Sequence, residues 1–368
     1  MSLTILGIAT AAPQRQIAQT DAADLATAFA NAQPGHERTL AAIYRQTRIR
    51  TRGSVLLDDP GTRPYAQSFF PVADGPEFAG PTTAERMQRY AAEAGPLAIA
   101  ASRRALDAAS TPPASVTHLV TCSCTGFANP GVDLEIIAAL GLAPTVSRTH
   151  VGFMGCHGAF NAIRVAAALA ASEVQGVVLV VCVELCSLHF QYGSRSDLVV
   201  ANSIFADGAG AVVGVGPGHP RGGRQGAWAV ARQWSRLVPE STGEMGWTIG
   251  DHGFEMNLSA RVPSVISRTI REFVDAALAE CGLDADAVGG WAVHPGGPRV
   301  LTSVQESLAL PPTALAASQR VLADHGNMSS ATMLFILEQL LEEPAASPCV
   351  AMAFGPGLTV ELALLIRC

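Results

Sequence analysis

Residues 158–171 read Gly-Ala-Phe-Asn-Ala-Ile-Arg-Val-Ala-Ala-Ala-Leu-Ala-Ala, a helical stretch with almost no polar face. Only Asn161 and Arg164 interrupt it, so the pattern predicts a helix inside the protein that offers those two side chains to water. Residues 177–183 form a β-branched apolar run, too short to span a bilayer, and predict a buried parallel strand. Residues 264–281 behave differently. Ile266, Ile270, Phe273, Ala277 and Leu278 line one side, with Arg268, Arg271, Glu272 and Asp275 opposite, the pattern of an outer helix laid on a core.

These elements recur in a fixed order. In the first half a strand at 118–122 leads through Pro130-Gly131 to a helix. The turn at Cys156 and its apolar helix follow, then the strand at 177–183 and a glycine-led strand at 206–214. In the second half a strand at 291–294 leads through Pro295-Gly-Gly-Pro298 to a helix. The turn around Asn327 follows with its own apolar helix, then a strand at 349–353 and Gly355-Pro-Gly-Leu-Thr-Val-Glu361. Cys124 precedes Cys156 by 32 positions and His294 precedes Asn327 by 33. The repeat predicts two α/β halves, residues 1–217 and 218–368, joined by the turn-rich stretch 214–226. Two buried helices back to back, each covered by a sheet and then by outer helices, give a five-layer αβαβα sandwich.

In such an arrangement Cys156 and Asn327 occupy equivalent helix starts near a two-fold axis, and His294 sits at a strand end, where ligand chemistry in α/β sheets concentrates. Each residue alone has a plainer explanation. A buried cysteine is a small core residue, His294 could be a satisfied core histidine, and Asn327 could simply cap its helix. At matching points of a repeat, the three together read as a Cys-His-Asn site. A cysteine at a helix N-terminus also meets unpaired N–H groups and a positive dipole end, which favour the thiolate.

Composition narrows the function. With 368 residues the chain can bury a large core, and 49% hydrophobic against 15% charged residues implies an unusually large interior or a subunit interface. A balance of 24 basic and 31 acidic residues, net −7, argues against nucleic acid as a partner. The one basic cluster, Arg45-Gln-Thr-Arg-Ile-Arg-Thr-Arg52, could meet a phosphate-bearing ligand or be a solvated surface stretch. No basic, apolar leader opens the chain, so the expected location of its eight cysteines is a reducing cytoplasm. Cys122 with Cys124, and Cys182 with Cys186, lack the spacing of a zinc site, so no metal is expected.

Four ordered motifs carry a family resemblance: Met154-Gly-Cys-His-Gly-Ala, His294-Pro-Gly-Gly-Pro-Arg-Val-Leu301, Gly326-Asn-Met-Ser-Ser-Ala-Thr-Met-Leu-Phe-Ile-Leu337 and Phe354-Gly-Pro-Gly-Leu-Thr-Val-Glu361. Over nearly its whole length the chain resembles the type III polyketide synthases, the chalcone synthase-like branch of the thiolase superfamily. Asn-Met-Ser-Ser and Gly-Pro-Gly-Leu-Thr-Val-Glu set it apart from ketoacyl synthase III, which shares the cysteine, histidine and asparagine.

The resemblance implies that Cys156 takes an acyl group from a coenzyme A thioester, with His294 paired to the thiolate. His294 and Asn327 would then hold the enolate formed when malonyl-coenzyme A loses carbon dioxide. It implies no metal or redox cofactor, acyl-CoA and malonyl-CoA as substrates, and a homodimer in which Asn129 reaches into the partner's cavity. Phe205 matches one aromatic gatekeeper, and Met256 stands where plant relatives carry a second. Cys124, Cys186 and Ser329 match cavity-lining positions, the two cysteines replacing threonines of plant enzymes. The family's coenzyme-binding lysines have no clear match; Arg45 and Arg48 are the candidate substitutes. Ala353 stands where many relatives have glycine.

Met256, the segment ending at Trp247 and the stretch 183–191 resemble bacterial enzymes that make alkylresorcinols or alkylpyrones, which implies a fatty acyl starter. Three other readings stay open on sequence alone: a malonyl-primed tetrahydroxynaphthalene synthase, a single condensation of the ketoacyl synthase III kind, and a non-catalytic binder of acyl thioesters.

Overall fold

The computed structural model describes residues 2–29, 36–58, 67–75, 78–193 and 195–368. The first half runs β1 (Leu3–Ala11), β2 (Gln16–Ala18), α1 (Gln19–Phe29), α2 (His36–Gln46), β3 (Thr51–Gly53) and α3 (Thr83–Ala108). It continues with β4 (His118–Ser123), α4 (Val132–Leu140), β5 (Ser147–Gly152), α5 (Gly158–Ser172), β6 (Val177–Leu185), α6 (Ser196–Ile204) and β7 (Asp207–Val215). The second half holds β8 (Trp228–Leu237), β9 (Met245–Gly250), β10 (Gly253–Leu258), α7 (Val262–Ala279), β11 (Gly290–Val293) and α8 (Pro298–Ser307). It ends with α9 (Ala316–His325), α10 (Thr332–Leu340), β12 (Cys349–Gly355) and β13 (Thr359–Arg367).

Strand pairing repeats between the halves. β4 runs parallel to β6, β6 antiparallel to β7 and β7 antiparallel to β1. In the same way β11 runs parallel to β12, β12 antiparallel to β13 and β13 antiparallel to β8. The two series meet where β1 pairs with β8, Leu3 opposite Val230 and Ile5 opposite Trp228. The expected pair of sheets is thus one hydrogen-bonded sheet of nine strands, ordered β11-β12-β13-β8-β1-β7-β6-β4-β5.

Three apolar clusters fill the spaces between layers. α3 and α4 cover the outer face of the first half, and α7 and α8 cover that of the second. α5 and α10 fill the middle, sharing one cluster with the inner faces of both halves. This thiolase-like layering explains why β6 is buried along its whole length: both faces are covered, so alternation would place polar groups in apolar surroundings. α7 behaves as its pattern predicts, burying Ile266, Ile270, Ala277 and Leu278. A capping box fixes the start of α3, where Thr82 and Glu85 satisfy each other's backbone N–H groups. No helix among the described residues is long and apolar enough to cross a membrane.

The polar pair on α5 departs from expectation. Asn161 and Arg164 are only half-buried, but they do not simply face water. Arg164 forms an ion pair with Glu361 of β13, Asn161 donates to the same carboxylate at 3.3 Å, and Ser235 adds a third donor at 2.9 Å. Glu361 is 2% exposed, so the two α5 side chains exist to satisfy a carboxylate that β13 carries inward.

Candidate active site

Cys156 lies in a single 3-10 turn, Gly155–His157, that leads into α5. The second half repeats the device: Asn327 stands just before the 3-10 turn Ser329–Ala331, which leads into α10. The two turns pack against each other, so the pseudo-two-fold arrangement brings Cys156 and Asn327 together. Gly155 has φ 72°, and a Cβ there would stand 2.5 Å from the Pro356 ring. Only glycine allows the Gly-Pro-Gly loop to close over the Cys156 turn.

Asn327 is fixed on every side. Its N–H donates to the Ile204 carbonyl at 2.8 Å, and its own carbonyl accepts from Ala206 N–H at 2.9 Å, stitching the Phe205 segment to the site. The side-chain oxygen accepts from Ser329 N–H at 2.8 Å, which aims the amide nitrogen at the Cys156 sulfur, 3.9 Å away. The same side chain therefore both closes the backbone turn before α10 and faces Cys156. His294 follows β11, held by its N–H on the Met352 carbonyl at 2.9 Å. Its ring is buried, and neither ring nitrogen has a partner among the described residues. All three side chains border one cavity of about 850 Å³.

Electrostatics corrects one expectation. Burial pushes the Cys156 thiol up to about 11, outweighing the donors Ser329 and Asn327 and its own backbone, which favour the thiolate. Burial likewise pushes His294 down to about 3, helped by the neighbouring His157. Each group alone is therefore neutral at neutral pH, and a charged pair can form only by moving the proton from sulfur to imidazole. The helix-start argument for a free thiolate fails because desolvation is the larger effect. His157, directly after Cys156, is buried and shares a 2.8 Å hydrogen bond between its Nδ1 and Asn161 Oδ1.

Two further cavities adjoin the first. One of about 20 Å³ is bordered by Cys124, Cys156, Cys186, Trp247 and Ser329. The other, about 120 Å³, runs toward α1 and α2 among Ile17, Leu25, Phe29, Leu57, Phe70 and Leu198. Phe205 and Met256 border all three cavities, which puts both at the junction. Cys124 Sγ lies 3.1 Å from Ser329 Oγ, and burial raises the Cys124 and Cys186 thiols well above the usual range.

The remaining expected residues lie apart. Asn129 is exposed, after the Gly126–Phe127–Ala128 stretch, and borders none of these cavities. Arg45 and Arg48 are exposed as well; the cavity wall beside them is made by Gln46 and Thr47.

Four contributors escaped the motif reading. Glu184 is fully buried and accepts from Thr125 Oγ1 at 2.7 Å, Cys124 N–H at 3.0 Å and the Ser330 hydroxyl. Its one signal was a carboxylate inside an apolar strand. His189 stacks on Phe254 at 4.2 Å and is fully hydrogen-bonded by Thr125 and Phe254 backbone groups. Arg261 and Arg299 border the 850 Å³ cavity, each at the start of a helix.

A thiol, an imidazole and a carboxamide bordering one cavity of a thiolase-like fold suit an acyl-transfer enzyme. Residues 2–218 match the chalcone and stilbene synthases, N-terminal domain, and residues 229–368 match the C-terminal domain of the same family. The alpha-pyrone synthesis polyketide synthase-like Pks18 of Mycobacterium tuberculosis is 34% identical over 363 residues, covering 97% of this chain and 89% of that protein; the Mycobacterium bovis protein of that name matches equally. Among solved structures, PKS-I from the brown alga Ectocarpus siliculosus superposes with a TM-score of 0.90 at 30% identity, covering 100% of this chain and 98% of that one. The C-terminal type III polyketide synthase domain of Steely1, a type I/III hybrid from Dictyostelium, gives 0.87 at 28% identity, covering 100% and 99%. The chain belongs to the chalcone and stilbene synthase family and is a type III polyketide synthase, an acyltransferase.

Proposed function

We propose that the enzyme loads an acyl group from acyl-CoA onto Cys156 and extends it with malonyl-CoA, without metal or redox cofactor. The observation that carries this reading is the convergence of Cys156, His294 and Asn327 on one cavity. In the loading step the thiol proton passes to His294 as sulfur attacks the thioester carbonyl. A new thioester forms on Cys156, and coenzyme A leaves as a thiol, taking the proton. Malonyl-CoA then loses carbon dioxide. The resulting enolate oxygen is held by the Asn327 amide and a His294 ring N–H, donors already positioned before charge develops. The enolate carbon attacks the Cys156 thioester, expels the sulfur and leaves a β-ketoacyl-CoA lengthened by two carbons.

The starter is a fatty acyl group, extended two or three times and closed to an alkylpyrone or alkylresorcinol. The aliphatic lining of the 120 Å³ cavity supports an alkyl tail, and a relative named for alpha-pyrone synthesis supports the ring. A second reading, malonyl priming, is favoured by the 20 Å³ space beside Cys156, which holds little more than one water. Incubation with malonyl-CoA alone, and then with added fatty acyl-CoA, separates them: product from malonyl-CoA alone removes the fatty starter.

The enzyme is proposed to be a homodimer. Phe127 and Phe153, 55% and 38% exposed, both pack against Phe254, and Phe127 lies two residues from Asn129. That apolar surface suits a second copy whose cavity receives the Asn129 loop, and sedimentation at micromolar concentration tests it. Eight free thiols suit a reducing cytoplasm.

A further inference from the structure

β1 lies in the middle of the nine-stranded sheet, yet Leu6, Gly7 and Ile8 at its centre are only half-buried while both its ends are buried. Unequal pairing is the cause. β7 accompanies β1 as far as Ala11, whereas β8 accompanies it only over residues 3–5. A slot of about 880 Å³ opens where that pairing stops, and the five consecutive residues 5–9 of β1 border it. Side chains of a strand alternate between its faces, so an unbroken run along one space means that the backbone edge is the floor. That floor is ~16 Å long at ~3.3 Å per residue. The slot shares no lining residue with the cavities around Cys156.

Its walls are charged. The outer helix α3 supplies Arg104, and the middle helix α10 supplies Glu338 with Leu341 and Glu342 from its end. Arg221 and Arg224 come from the loop before β8, and Arg367 from the end of β13. Four guanidiniums therefore meet two carboxylates, in a chain of net charge −7. None of the four forms an ion pair among the described residues. Three bond neutral groups instead: Arg104 donates to the Thr10 carbonyl at 2.6 Å, Arg221 to Thr111 Oγ1 at 2.8 Å and Arg367 to the Gly226 carbonyl at 3.0 Å. The side chain of Arg224 is exposed and has no hydrogen bond among the described residues. An open strand edge is a template for another strand, and proteins usually cover or blunt it. Here Arg104 and Glu338 close the edge at Thr10, and residues 6–8 before it stay open.

We propose that this slot takes an extended acidic segment of another protein, added to the edge of β1 as a further strand. Main-chain hydrogen bonds to β1 give such a segment its hold, and its side chains give selectivity. Alternate side chains turn to opposite walls. Carboxylates at every second position meet the arginines, which pair with them through two N–H groups at once, while apolar residues between them meet Leu341. A small anion would use the arginines and leave the strand edge unpaired, so the floor of the slot favours a peptide. The slot stands at the far end of α10 from the Asn327 turn, nine residues or ~14 Å of helix away. An occupant there tethers the enzyme to its partner and leaves the cavity of Cys156 open.

The test uses a short capped peptide in which glutamate and valine alternate, titrated into the full chain by fluorescence anisotropy. Micromolar binding is expected, weakening as salt rises. Two altered peptides dissect it. Lysine in place of glutamate should abolish binding, and proline in place of the central valine, which keeps every charge but removes a ladder donor, should weaken it about tenfold. On the protein side, Arg224→Glu touches no other described residue and should also cost about tenfold, since it sets like charges together. Hydrogen exchange should show the amides of residues 6–8 protected by the parent peptide. No binding of the parent, equal binding of the proline peptide, or equal affinity in a folded Arg224→Glu overturns the proposal. So does tight binding of tripolyphosphate with no peptide-dependent protection at residues 6–8, which would mark a plain anion pocket.

Discussion

The indole N–H of Trp247 donates to the carbonyl of Cys124 at 2.8 Å, tying the β9–β10 hairpin to the end of β4. The ring also packs edge-on against His189 and Phe254, with centroids 5.4 and 5.9 Å away. Trp247 borders both the 20 Å³ and the 120 Å³ cavities. It is thus a braced wall between the small space beside Cys156 and the apolar space beyond.

Trp247→Ala should merge those two spaces. kcat/KM measured across acyl-CoA starters of rising length is expected to shift toward the longer members by about tenfold, on the order of two more buried methylenes at ~0.8 kcal/mol each. The half-buried ring's loss costs roughly 2 kcal/mol of stability, below the range for a fully buried tryptophan. An unchanged length profile in a folded variant would show that Trp247 is not the partition.

Among the described residues, His294 is the one histidine that borders the same cavity as Cys156. His294→Gln keeps a polar side chain and removes that base. Alkylation of Cys156 by iodoacetamide should then follow the thiol's own ionisation near 11. Because that pKa is raised, the thiolate fraction is small at pH 7 and grows tenfold per pH unit up to about pH 10. In wild type, proton transfer to His294 opens a route to the thiolate that does not depend on pH, so alkylation should be faster than in the variant at pH 7 and should flatten at lower pH. Equal rates at that pH would remove the base role from His294.

Much of the site was legible in the order of residues along the chain. The repeat placed Cys156 and Asn327 at equivalent positions because a buried helix leaves a compositional mark that survives any tertiary context. The outer helix α7 was legible for the same reason, its buried face recurring at helical spacing. What escaped were relations across the chain. Nothing near Asn161 or Arg164 reveals that Glu361 turns inward from β13 to meet them. The protonation state of Cys156 also escaped, since dipole and donors can be read locally whereas desolvation depends on everything packed around the turn. Arg261 and Arg299 were hidden because each motif looks ordinary until two helix starts from separate segments face one space.

Asn327 should matter to one half-reaction only. Asn327→Ala removes a donor from the enolate while leaving Cys156 and His294 in place, so acyl loading, read by intact mass after acyl-CoA exposure, should persist. Release of carbon dioxide from malonyl-CoA should fall by about 10²–10³, the effect of deleting one preorganised oxyanion donor. Equal loss of both activities would mean that the amide supports the turn rather than the enolate.

Arg164 tests how the interior accommodates Glu361. The carboxylate is 2% exposed, while the Arg164 side chain remains 40% exposed. Breaking a fully buried pair costs about 3–5 kcal/mol because one charge is left unpaired. Water already reaches Arg164, and Asn161 and Ser235 still donate to the carboxylate, so Arg164→Ala should cost less, about 2 kcal/mol, seen as a lower urea midpoint. Glu361→Gln removes the charge but retains an acceptor, and Arg164→Ala on that background should cost markedly less than on wild type. Asn161 also holds His157 at 2.8 Å, directly after Cys156, so the single variant should also slow acyl loading while the double variant recovers part of it. If both substitutions simply add, Arg164 and Glu361 are uncoupled, and the carboxylate is held by its neutral donors alone.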